Sequence, residues 1–451
     1  MRLPNGSRTP WILRAIQLSF RPLEYMETYA QRYGDPFTVG KPPGAVYFSH
    51  PKALQEIFTA DPEVFTIGSG DGVIKDLLGA DSLLLLNGER HQRQRRLLTP
   101  PFHGDRMRAY SQLICDVTKQ VTAHWEIGEP FLVRSSMQEI TLRVILQAVF
   151  GLHEGQRFDQ LRQLLSSMLD SMSSPFSSIL IFFSSLRRDW GPLSPWGRFL
   201  RLREQIDQLL YAEIRERREQ DDLSGTDIMT LLMSACDEAG QPMTEQELHD
   251  ELMTLLVAGH ETTASALTWA LYWIHALPEV QEKLRHELET LGENADPMDI
   301  ARLPYLTAVC QETLRIYPIA LNVIRILKSP LEIMGYQFEP GTMLIPCIYL
   351  THQREELYPE PKRFKPERFL ERQFSQYEYL PFGGGHRRCI GAAFAQFEMK
   401  LVLATILSRF QLTLADSRPV KPVRRGLTLA PPGNLRMVAT QLRAQKTPVA
   451  V

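Results

Sequence analysis

The stretch from Pro242 to Pro278 constrains this chain most, because nothing in it ends a helix once one has begun. Thr244 and Glu247 have the spacing of a capping box, and helical apolar spacing continues from there to Leu277-Pro278. The pattern predicts a helix from Thr244 to about Ala276, roughly 33 residues and about 50 Å long. A rod of that length crosses a whole domain, so other elements have to wrap it. With 451 residues, 44% hydrophobic and 23% charged, the chain has the composition of an ordinary globular enzyme with a sizeable core.

Most of the wrapping is expected to be helical. From Pro51 to about Trp273 the apolar spacing is mainly helical, and helices are predicted at 279–291 and 304–316. Phe37 to Val39 and Ala45 to Phe48, separated by Lys-Pro-Pro-Gly, read as a hairpin. After Pro318 short strands and turns take over until a helix at Ala392 to Leu407. The expected fold is mainly α with a small β region, at about 35–50 and 318–350. No repeat, linker or boundary divides residues 1–451, so one domain is expected. Two loops stand out: the glycine-rich Ile67 to Asp76, and Ser173 to Trp196, which is either an apolar roof or a long surface connection.

Charge and cysteines narrow the class. Lys plus Arg at 50 against Asp plus Glu at 52 gives a net charge of −2, which calls for neither nucleic acid nor an anionic membrane. Met1 to Phe20 lacks the apolar core of a secretory signal. The longest uncharged stretch, Ser171 to Leu186, is broken by Pro175 and is shorter than the ~20 residues of a spanning helix. Five cysteines without CxxC pairs suit a reducing compartment. These features predict a soluble, cytoplasmic protein.

Chemistry concentrates at two places. Inside the long helix runs Ala258-Gly259-His260-Glu261-Thr262-Thr263. A zinc HExxH site is excluded, because the second histidine would fall at Ala264. Gly259 is costly in a helix interior and lets a flat group approach, while threonine can bond the local backbone and open a groove. Glu261 and Thr262 read as a proton-relaying acid and alcohol, or as a solvated charge and a packing residue. The second place is Pro381-Phe382-Gly383-Gly384-Gly385-His386-Arg387-Arg388-Cys389-Ile390-Gly391. Neighbouring guanidinium groups and a helix N-terminus favour a Cys389 thiolate. The glycines fit neither a dinucleotide fingerprint nor a Walker loop, and zinc would need more ligands than His386 alone. What remains is a cofactor with one protein ligand, as in haem bound by cysteine. A structural cysteine is the competing reading.

Three further patterns are weaker alone. Glu312 and Arg315 share a helical face, and Arg368 lies in Pro366-Glu367-Arg368-Phe369; together they form a possible buried triad. In the basic run Glu89 to Arg96, His91 and Arg95 share one face while Arg93 and Arg96 point elsewhere. That face reads as a partner for buried carboxylates or as a solvated surface.

Taken in order, the His91-xxx-Arg95 helix, AGHETT, ETLR, PERF and FGGGHRRCIG closely resemble a cytochrome P-450, a haem-thiolate monooxygenase. The motifs run from about residue 87 to 391, and the likeness extends to Leu427-Thr428-Leu429-Ala430-Pro431. Many members carry Trp where His91 stands; bacterial ones often have histidine. The resemblance implies a triangular, mainly helical fold. It makes Cys389 the iron ligand of haem b, with Phe382 in its loop and His91, Arg95, Arg325 and Arg387 as propionate partners. Glu261 and Thr262 become the acid–alcohol pair at the oxygen site, and Glu312, Arg315 and Arg368 the structural triad. O2 and two electrons would hydroxylate an unactivated C–H bond. The electrons would come from NAD(P)H through a ferredoxin and its reductase or a flavodoxin, docking a monomer near Arg90, Arg93, Arg96 and Arg388. Val73, Leu84, Leu255, Ala258, Ala320, Val323 and Leu427 are expected over the haem and are apolar. Together with the stretch GERHQRQRRLLTPPFHGDRM, similar to cyanobacterial members, they favour a fatty acid, alkane or terpene substrate. The alternatives are a haem-thiolate isomerase, a peroxide-dependent oxygenase, or a haem sensor.

Overall fold

The computed structural model describes residues 3–67, 72–102, 104, 106–152, 155–172, 187–191, 194–220, 225–292 and 295–443. Its longest helix, Glu245–Ala276, starts on the expected cap. Thr244 Oγ1 accepts from the Glu247 N–H at 3.1 Å, and the Glu247 carboxylate accepts from the Thr244 N–H at 2.9 Å. Pro278 opens the next helix and stops this one. Leu248 to Leu256 and Thr263 to Tyr272 are buried on every side, so this central helix runs through the core. It packs chiefly on helix Val133–Phe150, and also on Ala392–Arg409 and Pro304–Ile316. Burial lapses in one place: Val257, Ala258, Gly259, Glu261 and Thr262 keep open surface.

The strands form the minor part. β2 (Phe37–Val39) and β3 (Ala45–Phe48) make the expected hairpin, with Phe37 opposite Tyr47 and their rings stacked at 4.9 Å. β3 also pairs in parallel with β9 (Met343–Pro346), which joins residues some three hundred positions apart. β1 (Gly6–Ser7), β4 (Phe65–Thr66) and β6 (Arg325–Leu327) complete a six-stranded sheet in the order β1-β2-β3-β9-β6-β4. The pairs β7 (Leu331–Ile333) with β8 (Tyr336–Phe338), and β11 (Val423–Arg425) with β12 (Thr428–Ala430), are hairpins. A further sheet, β10 (Phe410–Leu414), β13 (Arg436–Leu442) and β5 (Pro130–Leu132), falls outside the two ranges expected to be β-rich. β10 alternates, as Phe410-Gln411-Leu412-Thr413-Leu414, but β5 lies some three hundred positions before its partner β13, a pairing no local signal gives. Of the Ser173 to Trp196 roof, residues 173–186 and 192–193 lie outside the described residues, as do 68–71 of the glycine-rich loop.

One buried charge cluster fastens the helical part to the irregular segment before Cys389. Glu312 accepts from Arg315 through both oxygens, at 2.6 and 2.8 Å, and from Arg368 Nε at 3.2 Å. The Lys365 N–H adds a bond of 2.8 Å to the same carboxylate. Arg315 also donates to the carbonyl of His352 at 2.8 Å, and Arg368 to that of Pro359 at 3.2 Å. Each charge is paired and each guanidinium fork is used, which is what makes a buried ion network tolerable.

Two outcomes follow from this packing. Glu312→Ala leaves two buried guanidinium groups without their anion and should cost about 3–5 kcal/mol, read as a lower midpoint in urea unfolding. His260, His275 and His352 are held neutral by burial, with pKa values lowered to about 3, 4 and 3. The unfolded chain therefore binds more protons than the folded one below the ordinary histidine value near 6.5. Stability should fall as pH drops from about 6.5 towards 4, approaching ~1.4 kcal/mol per pH unit for each histidine; unfolding curves at pH 7 and pH 5 test the sign.

Candidate active site

The cysteine loop is built by local geometry. Leu380 N donates to His352 Nε2 at 3.1 Å, Gly383 N to the Leu380 carbonyl at 2.9 Å, and Cys389 N to the Phe382 carbonyl at 3.0 Å. Gly383 and Gly385 have φ of 71° and 67°, the left-handed region where a side chain is strained. Sequence reasoning gave the glycines to a flat ligand, whereas the structure gives two of them to a protein neighbour. A Cβ at Gly384 would sit 2.6 Å from the ring of Phe58, and one at Gly385 would sit 2.7 Å from the Phe58 carbonyl. At Gly259 a Cβ would lie 2.9 Å from Ile145 Cδ1, so this glycine also eases the approach of helix Val133–Phe150 while keeping open surface of its own.

Cys389 lies deep in the protein, yet its side chain keeps open surface, so it faces an internal space. Burial pushes its thiol up; the Gly391 N–H, Arg95 and Arg388 pull it down without overcoming that. A metal cation on the sulfur would favour the thiolate expected from sequence. One of the two arginines acting on the thiol is also different from the expected pair, being Arg95 rather than Arg387.

Beside the loop lies a cationic pit. His91, Arg325, His386 and Arg387 converge on it with Asn87 and Gln92, and the two imidazoles meet edge to face at 5.8 Å. Arg325 donates to the carbonyl of its own neighbour Ile324 at 2.9 Å, and Arg387 to the Leu86 carbonyl and to Asn87 at 3.2 Å. Among the described residues no carboxylate forms an ion pair with Arg95, Arg325 or Arg387. Burial lowers Arg325 and Arg387 to about 10, with repulsion from Arg387 added on the first and from Arg95 on the second; burial and the neighbouring cations lower His91 to about 3. Buried cations are normally paired, so the pit fits a ligand that brings carboxylates. The other side of the basic helix (Gly88–Leu98) differs from expectation. Arg93 is bound to Asp237 at 2.6 Å and Glu247 at 3.2 Å, Arg90 to Asp81 at 2.6 Å, and Arg96 to Glu238. These arginines are neutralised within the chain and offer little net charge to a docking partner.

The lapse in burial on the central helix supplies another open surface. Ala258 is exposed although Leu256 and His260 beside it are buried. Thr262 Oγ1 donates to the Ala258 carbonyl at 2.6 Å, the groove-opening bond its residue type suggests. Glu261 is not a free carboxylate. Arg134, at the start of helix Val133–Phe150 and almost wholly buried, donates to one oxygen, and Gln138 donates to the other at 3.1 Å. No sequence signal pointed to Arg134, which lies 127 residues away. His260 is not a ligand either: its Nδ1 meets Thr141 Oγ1 at 2.9 Å in the core. Among the expected lining residues, Leu84, Ala258, Ala320 and Leu427 keep open surface and Val323 is half-buried. Val73 and Leu255 sit in the main apolar core and offer a ligand little surface.

Haem is the group that brings carboxylates and a single open iron position to one cysteine, which makes this a haem-thiolate oxidoreductase. The chain belongs to the cytochrome P450 family, whose model matches residues 3–437, and it is a monooxygenase of that family. A protein named "Putative cytochrome P450 135B1" from Mycobacterium tuberculosis is 37% identical over 440 residues, 96% of this chain and 90% of that protein. "Putative cytochrome P450 138" from Mycobacterium bovis is 32% identical over 445 residues, 97% of this chain and 96% of that one. Among solved structures, the retinoic acid-bound cyanobacterial CYP120A1 superposes with a TM-score of 0.82 at 25% identity, covering 97% of this chain and 99% of that one. The haem domain of cytochrome P450DA shares the fold, with a TM-score of 0.82 at 23% identity over 99% of both chains. The family implies haem, O2 and electrons from a redox partner. Among the described residues no helix is long and apolar enough to cross a membrane.

The close packing of the loop can be tested directly. Gly384→Ala should destabilise the protein by about 1–3 kcal/mol through overpacking against Phe58. Phe58→Leu in the same chain should recover part of that loss in thermal unfolding.

Proposed function

We propose that this monooxygenase hydroxylates an elongated apolar molecule, a fatty acid, alkane or terpene, with haem b held by Cys389. The observation that carries the reading is the open surface kept by Ala258, Gly259, Glu261 and Thr262 in the middle of an otherwise buried helix. Open surface there, together with the apolar character of the expected lining residues Leu84, Ala258, Ala320 and Val323, suits a hydrocarbon and offers few polar groups to anything else. The structural neighbour that binds retinoic acid, an isoprenoid acid, supports the same substrate class.

Haem, when bound, supplies the activation of O2, and the thiolate ligand favours O–O cleavage. The chain's own residues do the rest. Arg95, Arg325 and Arg387 would neutralise the propionates and His91, held neutral, would add a hydrogen bond, with Phe382 holding the loop. Thr262, with its proton committed to Ala258, keeps its oxygen lone pairs free to accept from water on the open side. Glu261 is the acid that passes protons towards it, and Arg134 and Gln138 hold that carboxylate in place. Electrons come from NAD(P)H through a ferredoxin with its reductase or a flavodoxin-type donor to a monomeric, cytoplasmic protein.

The reduced, CO-bound protein should show the red-shifted Soret band of a thiolate ligand, and Cys389→Ser should lose it; an unshifted band in the wild type ends the haem-thiolate reading. Spectral titration with fatty acids, alkanes and terpenes should give saturable shifts, and polar panels should not. Thr262→Ala should lower product formed per NAD(P)H by about tenfold or more, with the electrons recovered as peroxide. Unchanged coupling would remove Thr262 from the proton path. Arg325→Ala should release haem about 10–100-fold faster to a scavenging apoprotein, as expected for one charge-assisted contact.

A further inference from the structure

The helix Trp11–Phe20 is turned inside out. A surface helix normally hides its large apolar side chains and shows its polar ones. Here Ala15 and Ser19 face inward, while Ile12, Leu13, Ile16 and Phe20 face solvent, each 46–54% exposed. These four fall on one continuous side of the helix, where only Gln17 is polar. The helix is also anchored, because Arg424 Nη1 donates to the Leu18 carbonyl at 3.0 Å. That bond fastens it to the β11–β12 hairpin, whose tip residue Leu427 is 54% exposed. A firmly held apolar face of this kind marks an interaction surface.

Charge decides among the occupants. Residues 1–23 contain Arg2, Arg8, Arg14 and Arg21 and no acidic residue, in a chain whose net charge is −2. Arg8 and Arg21 are exposed at the two ends of the helix, and the single ion pair of Arg21, with Glu24 at 3.3 Å, is itself exposed and weak. In a two-fold pairing through this face a second copy would bring Arg8 and Arg21 and only Glu24 in return, so charge favours an anionic occupant. We propose that this face docks on an anionic lipid surface, with Ile12, Leu13, Ile16 and Phe20 entering the headgroup–acyl boundary and the exposed Arg8 and Arg21 meeting lipid phosphates. Basic ends with a strongly apolar side are the physical signature of a helix lying in a membrane interface. Such docking needs no spanning helix, and it goes beyond the oxygenase reading, which it neither needs nor supports.

The test uses the full-length, haem-loaded protein with vesicles of phosphatidylcholine alone and of phosphatidylcholine with phosphatidylglycerol. The protein should co-sediment with the anionic vesicles, less so with neutral ones, and more weakly as salt rises. Ile16→Asn and Phe20→Asn, each with an unchanged reduced-CO spectrum, should lower partitioning about tenfold or more. Arg8→Ala should weaken binding to the anionic vesicles alone. Brominated acyl chains should quench wild-type fluorescence more than that of Trp11→Phe, a readout that does not require the asparagine variants to fold. Protein left in the supernatant with anionic vesicles, or asparagine variants that bind like the wild type, overturns the proposal. So does a dimer in sedimentation velocity that Ile16→Asn converts to monomer, since a second copy would then cover the face.

Discussion

The carboxylate of Glu312, buried between Arg315 and Arg368, is the interaction on which the rest of the site depends. It ties helix Pro304–Ile316 to the irregular segment that leads to the cysteine loop. His352 carries the constraint onward. Its carbonyl accepts from Arg315, its Nδ1 meets the Arg315 carbonyl at 3.2 Å, and its Nε2 accepts from Leu380 N at the loop's entrance. Those partners require one tautomer, with the proton on Nδ1. Burial keeps the ring neutral, so the geometry is not lost to a stray proton near neutrality. A triad read as a simple lock is in effect the first part of a hydrogen-bonded chain that ends at Cys389.

The central helix performs two tasks that pull against each other. To be the core's axis it must be buried all round, and over most of its length it is. To serve a reaction it must open, and it does so over Val257 to Thr262. The opening is local because each departure has its own compensation. Gly259 gives up helix propensity for contact with Ile145. Thr262 bonds the Ala258 carbonyl within its own turn. Glu261, a charge that the core would not otherwise accept, is held by Arg134 and Gln138.

Much of this was legible in the sequence, for identifiable reasons. Helix ends carry local signals, so Thr244 with Glu247 and the prolines at 278 and 304 placed their helices closely. The hairpin at 37–48 was readable because its turn residues announce it. What stayed hidden is non-local. The parallel pairing of β3 with β9, the third sheet, and the grip of Arg134 on Glu261 depend on partners that no spacing rule connects. His352 was missed because a lone histidine has no signature. Some residue types also have a second beneficiary. Gly259 and Gly384 read as room for a ligand, and they make room for Ile145 and Phe58 as well, since a missing side chain does not say which neighbour required its absence.

Arg90, Arg93 and Arg96 carry one last consequence. Their acids, Asp81, Asp237, Glu238 and Glu247, lie on other segments of the same chain, so these three add little net charge beyond a Debye length, whereas Arg388, expected on the same side, is exposed. A partner meeting these three arginines alone would gain little long-range attraction from them, and its encounters would approach the unsteered rate of ordinary diffusion. Its residence would then rest on short-range matters of shape, and the choice between partners on local fit and relative abundance.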